Sequence, residues 1–243
     1  MSRAKIKKQV VPNLQATEED IRYGTPEIVA EYRARRLKCS VIADLGCSVG
    51  FQTFAFAKTC KKVYAVERDQ RKLEYAQKNA QLLGLKNIEF IHGDALDPEV
   101  VNRLRDCQVI FCDTERPATE TSRKIESIQP NPIEIVKKYS VITKNICLEL
   151  PPYLRNIPFP GEQEYVSVHG ALNRLTVYLG SLKKADRSVV LLQEGRGPSA
   201  QKGKALLVPE GTRLESQPAS SITKAQDTGQ YRYIYEINPA VIQ

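Results

Sequence analysis

The chain has 243 residues, with 36 Lys or Arg against 28 Asp or Glu and a formal net charge of +8. This length accommodates a full α/β core plus a smaller unit, and the positive balance favours a polyanionic partner over an acidic or neutral one. No apolar run approaches membrane-spanning length, and the basic start MSRAKIKKQVV lacks the apolar stretch of a signal peptide, so a soluble, cytoplasmic chain is expected. Six cysteines without a C-x-x-C pair, beside two histidines, argue against a structural metal. The cysteines read as core thiols, except that Cys47 lies in a turn where partial exposure is expected. Composition leaves the oligomeric state open.

The first sixteen residues are basic and aperiodic. Thr17 then caps a short helix whose first turn is acidic, as the positive helix end prefers. Thr25-Pro26 opens a second helix running to Leu37, with Ile28, Val29, Tyr32 and Leu37 available to a core. Arg33, Arg35 and Arg36 lie mainly off that face, as a solvated basic face or a nucleic-acid surface. Residues 1–37 are expected as a helical extension.

Val41 to Leu45 reads as a buried strand, Gly46 to Gly50 as a tight turn, and Phe51 onward as a helix. A strand–glycine turn–helix unit suits a nucleoside cofactor, because backbone without Cβ atoms can approach a ligand closely. The dinucleotide fingerprint G-x-G-x-x-G needs glycine at 48 and 51, which are Ser48 and Phe51. What stands here is Asp44 followed by G-x-x-x-G, which resembles the turn of class I S-adenosylmethionine-dependent methyltransferases. In that pattern Asp44, Gly46, Cys47, Gly50 and Thr53 belong to the cofactor site. A second strand, Lys62 to Glu67, ends in an acid placed to bind a ribose diol. A helix from Asp69 carries Leu73, Ala76, Ala80 and Leu83 and closes at Gly84. The third strand, IEFIH, precedes Gly93-Asp94-Ala95, where the pattern puts Asp94 on the adenine amine and Ala95 beneath the ring. Three acids then end three successive strands.

Asp97-Pro98 starts a short helix to about Arg105, and Gln108 to Cys112 is a fourth strand running into Asp113-Thr114-Glu115-Arg116-Pro117. Loops at the carboxyl ends of parallel strands hold ligand, so this segment is the expected substrate loop. A fifth strand, Asn145 to Leu150, stops at Pro151-Pro152. Further on come short β-rich runs at 164–168, 174–179, 189–193 and 204–208. The first two are expected as the hairpin completing the sheet, the others as a small appendage, with Gly195 to Pro198 as a linker. The expected fold is α/β: a Rossmann-like methyltransferase sheet over 38–182 with helices on both faces, and a β-rich C-terminal unit over 183–243.

Thr25-Pro26-Glu27 with its arginine-rich helix, Asp44 to Gly50, and Asp113 to Pro117 together resemble the THUMP-like-domain class I methyltransferases. These are related to the RNA cap guanine-N2 methyltransferases, or trimethylguanosine synthases. The segment Gly229 to Val241 is similar to that family's Tyr-Glu-Pro-Asp-Pro-Ala-Val ending. Thr114 stands where the family's fourth-strand motif has proline, and Pro117 where it has its last arginine. The resemblance implies methyl transfer from S-adenosylmethionine to RNA, with Asp113 holding a base amine and Arg116 contacting phosphate or base edge. The alternatives are an RNA-binding protein that holds the cofactor without transfer, and a small-molecule methyltransferase.

Overall fold

The structure, a computed structural model, describes residues 14–115, 125–154, 156–169, 171–192 and 204–208. Arg116, the Gly195 to Pro198 segment and the Gly229 to Val241 ending lie outside the described residues. The elements run α1 (Glu18–Tyr23), α2 (Glu27–Arg36), β1 (Val41–Leu45), α3 (Phe51–Ala57), β2 (Lys62–Glu67), α4 (Gln70–Leu82), β3 (Ile88–His92) and α5 (Pro98–Arg103). Then come β4 (Val109–Asp113), α6 (Pro132–Tyr139), β5 (Ile146–Leu150), β6 (Glu162–Val168), β7 (Ala171–Tyr178), β8 (Arg187–Leu192) and β9 (Lys204–Val208).

Among the described residues, nine strands form one sheet in the order β3-β2-β1-β4-β5-β7-β6-β8-β9. The first five are parallel, β7 pairs antiparallel with both β5 and β6, and β8 runs parallel to β6. The strand order reverses between β1 and β4, the switch point at which α/β sheets of this kind open a crevice. β8 and β9 lie in the segment expected as a separate C-terminal unit, yet they extend this same sheet.

Alternation along the strands sends side chains to two faces. Ile42, Val63, Val109, Phe111 and Cys147 pack beneath α2 and α3, against Ala30, Ala34, Leu37 and Phe56. Ala43, Leu45, Val66, Ile110, Cys112, Ile146 and Leu148 pack on the other face, against Val100 and Leu104 at α5 and Ile135 and Tyr139 of α6. The capping predicted for α1 is present as a reciprocal Thr17–Asp20 pair. Gly84 closes the α4 end at φ +67°, with the Leu85 amide donating back to the Ala80 carbonyl. α6 was not foreseen; Asn131 caps it by accepting from the Ile133 and Glu134 amides, and Pro132 takes its first position.

The arginines of α2 correct the expectation of a basic surface. Arg33 is 1% exposed and ion-paired with Glu149, with its guanidinium 4.7 Å from the Phe111 ring centre. Arg36 pairs with both Glu162 and Glu164 and lies over the Tyr178 ring. The Tyr32 and Tyr178 hydroxyls donate to Glu164 at 2.6 and 2.8 Å, and Ser188 Oγ donates to Glu162 at 2.5 Å. Only Arg35 stays outside, in a loose 3.6 Å pair with Glu31. The physical reason is that α2 lies across β5, β6 and β7, where three glutamates would otherwise be buried without countercharge.

Arg36→Met is therefore expected to destabilise the chain by about 3–5 kcal/mol, because two carboxylates are left buried and unpaired. Arg35→Ala should cost less than about 0.5 kcal/mol. Urea unfolding of the two variants side by side checks the contrast.

Candidate active site

Between β1 and α3 the backbone makes a turn with three positive φ angles: Gly46 at +79°, Ser48 at +50° and Gly50 at +97°. A Cβ on Gly50 would stand 2.3 Å from the Phe54 ring, and one on Gly46 would stand 3.0 Å from the Asp113 carbonyl oxygen. Both positions therefore require glycine, for conformation and for space. The Gly46 and Cys47 amides donate to the Val66 carbonyl, which fastens the turn to the end of β2. The Asn79 amide of α4 donates to the Val49 carbonyl from behind.

In front of this turn is a cavity lined by Gly46, Glu67, Asp69, Lys72, Asp94, Ala95, Asp113, Glu115, Gln129 and Pro130, among others. It lies across the carboxyl ends of β1 to β4. Of the residues expected from sequence, it brings together Gly46, Glu67, Asp94, Ala95 and Asp113. Glu67 is pre-oriented, with Oε2 accepting from the Ser48 amide at 2.8 Å and Oε1 from the Asp69 amide at 2.9 Å. Asp94 Oδ1 accepts from the Leu96 amide at 2.7 Å, and the Tyr139 hydroxyl holds the Ala95 carbonyl at 2.7 Å. Asp44, Cys47, Gly50 and Thr53 are not among the lining residues. Asp44 and Thr53 are completely buried and bonded to each other at 2.5 Å, so they brace the turn from within. Cys47 is 5% exposed, against the expected partial exposure, and burial pushes its thiol well above the ordinary range. It is neither an oxidisable surface thiol nor a nucleophile.

Sequence reasoning missed the charged groups around Asp113. Asp113 and Glu149 are register partners at the ends of β4 and β5. Glu149 is ion-paired on one side with Arg33 and on the other with Arg174 of β7, Nε to Oε1 at 2.8 Å. Thr114 Oγ1 donates to the Glu149 carbonyl at 2.5 Å and ties the two strand ends together. Arg174 Nη2 also reaches the Tyr23 carbonyl at 3.5 Å, which sets the end of α1 beside β7. The available signal was an acid near the carboxyl end of each apolar strand, last in VIFCD and next to last in ICLEL. Burial and then the Glu149 charge push the Asp113 carboxyl well above the usual carboxylate range, against the pull of Arg174 and Arg33.

Burial also pushes Asp44 up to about 7, with Thr53 and Arg33 opposing. Its Oδ1 is buried without a hydrogen-bond partner. A carboxyl whose folded pKa is raised keeps its proton longer than in the unfolded chain, so stability falls as pH rises from about 4 to about 7. Asp44→Asn should flatten that fall. In urea unfolding at pH 5 and pH 8, the wild type should lose about 1–3 kcal/mol more than the variant over the interval.

Residues 38–145 match the family model described as a methyltransferase domain. A protein of Sulfolobus acidocaldarius named "Probable cobalt-precorrin-6B C(15)-methyltransferase (decarboxylating)" is 36% identical over 93 residues, which is 37% of this chain and 45% of that protein. An uncharacterized RNA methyltransferase of Caldanaerobacter subterraneus is 32% identical over 101 residues, or 40% of this chain and 22% of that one. Among solved structures, a candidate methyltransferase from Porphyromonas gingivalis W83 superposes with a TM-score of 0.64 at 15% identity, covering 80% of this chain and 51% of that one. The structural likeness speaks for the fold alone. The chain spans 21% to 46% of the length of the first curated relatives it matches. Over residues 38–145 this chain thus shares with methyltransferase domains a family-model match, and its sheet reverses order beside a strand-end cavity.

Proposed function

We propose that the chain transfers a methyl group from S-adenosylmethionine to an RNA nucleobase, at an exocyclic amine of guanine. The observation that carries the methyl-transfer reading is the cavity itself, which gathers Glu67, Asp94 and Asp113 from three strand ends around a glycine that admits no Cβ. The residues fit the cofactor. Glu67, held by two amides, keeps lone pairs for a ribose diol. Asp94, exposed beside the pinned Ala95, is placed for an adenine amine.

Bound S-adenosylmethionine supplies a methyl group already activated on a sulfonium. The chain's residues therefore have mainly to position the acceptor in line and exclude water. An acceptor nitrogen methylated by such a group would then have a proton to give up. Asp113 accepts a hydrogen bond from the amine and takes that proton, a role favoured by its raised carboxyl. Arg174, ion-paired with Glu149 and partly exposed, would add positive charge near Asp113. What supports RNA as the acceptor is the net charge of +8 and the RNA methyltransferase names among the relatives. Kinship with the trimethylguanosine synthases, and a phosphate contact by Arg116, belong to the same proposal. The cobalt-precorrin relatives favour a second reading, a small-molecule acceptor.

Incubation with labelled S-adenosylmethionine and RNA from a strain lacking the gene, followed by nucleoside mass spectrometry, should yield N2-methylguanosine. Label in a tetrapyrrole instead would establish the second reading, and label in neither acceptor would sink both. Glu67→Ala should weaken cofactor binding about 10–100-fold, the worth of a hydrogen bond to a charged group. Asp113→Asn should lower kcat about 10²–10⁴-fold with cofactor affinity unchanged. The wild-type rate should rise with pH through the raised Asp113 pKa, because the base works deprotonated, and the variant should lose that rise.

A further inference from the structure

At the amino ends of the central strands, opposite the cofactor turn, three thiols gather: Cys39 before β1, Cys60 before β2 and Cys107 before β4. Cys39 Sγ lies 4.0 Å from Cys60 Sγ. The register of the β1–β2 ladder gives an independent reason for this approach. Val41 stands opposite Lys62, and the Ser40 carbonyl accepts from both the Lys61 and Lys62 amides. Carried back two residues, that register sets Cys39 opposite Cys60 on the same face. Neighbouring parallel strands lie about 4.8 Å apart, within the Cα separation of about 4.4–6.8 Å that a disulfide accepts. Cys39 is partly exposed and Cys60 is 6% exposed, so a small oxidant has a route to the pair through Cys39.

We propose that Cys39 and Cys60 are a hydroperoxide-driven, disulfide-forming pair, a modification site independent of the methyl-transfer reading. The bridge would close residues 39–60 into a ring that contains β1, the whole glycine turn and α3. The contact between the two sulfurs, in which either can donate, pulls the Cys60 thiol down and pushes Cys39 up, which makes Cys60 the attacking sulfur. Cys60 sulfur attacks one peroxide oxygen, the O–O bond breaks and hydroxide leaves, which gives a Cys60 sulfenic acid. Cys39 sulfur then attacks Cys60 sulfur, the S–O bond breaks, and water leaves with the Cys39 proton. Two thiols lose two hydrogens, and one hydrogen peroxide becomes two waters.

The experiment treats the full, freshly reduced chain with hydrogen peroxide and reads intact mass and non-reduced peptide maps. The expected result is a loss of two hydrogens, a Cys39–Cys60 cross-linked peptide, and reversal by dithiothreitol. In Cys39→Ser, which leaves Cys60 without a resolving thiol, sulfinic acid should accumulate on Cys60 instead. A bridge from Cys107 to either thiol, sulfinic acid on Cys60 in the unmutated chain, or no loss of mass at a dose that oxidises a peptide thiol would each overturn the proposal.

Discussion

The structure depends on the countercharging of three glutamates buried on the sheet. Glu149, Glu162 and Glu164 are at most 2% exposed, and each would be costly in an apolar layer without a guanidinium beside it. Arg33 and Arg36, one turn apart on α2, meet that demand across β5 and β6. Arg33 also donates to Gln52 of α3 at 2.8 Å and covers Phe111 of β4. One helix thus locks the antiparallel half of the sheet to the parallel half. An arginine-for-lysine exchange here would keep the charge and lose the planar fork that reaches two partners at once.

That lock extends to the cavity. Glu149 is held by Arg33 on one side and by Arg174 on the other, and its register partner Asp113 lines the cavity. The opposite wall is equally constrained, since Glu67 is fixed by two amides and the glycine turn is fastened to β2. The cavity is therefore shaped by strand ends and their backbone hydrogen bonds, with little dependence on flexible surface side chains. Preorganisation of this kind suits a reaction in which alignment supplies most of the acceleration.

The parallel half was legible because its signals are local. Val-Ile-Ala-Asp-Leu before a glycine turn, and apolar residues at helical spacing before Gly84, each declare their structure within about ten residues. Helix α2 was legible as a helix, but the destination of Arg33 and Arg36 was not. A basic run looks the same whether solvated or buried, and the deciding acids lie more than 110 residues away in sequence. Glu162 and Glu164, alternating in a short strand, carried the missing half of that signal. Helix α6 escaped because its Asn-Pro start lies in a stretch that reads first as a loop. The membership of β8 and β9 in the main sheet rests on long-range pairing that no local pattern encodes. In the site, residue types and strand ends were readable. The withdrawal of Asp44 and Thr53 behind the turn was not, because burial depth is set by the packing of the whole layer.

The internal pairing also bears on how the molecule is felt at a distance. Arg33, Arg36 and Arg174 are balanced in total by Glu149, Glu162 and Glu164, two arginines on Glu149 and two glutamates on Arg36. Sequestering this set leaves the formal excess of +8 unchanged and assigns it to the rest of the chain. The attraction felt by an approaching polyanion, screened over about 10 Å at 0.1 M salt, therefore originates outside the α2 lattice. Among the described helices the most arginine-dense, α2, gives two of its three arginines to the architecture, and Arg35 with the lysines and arginines elsewhere sets the long-range field.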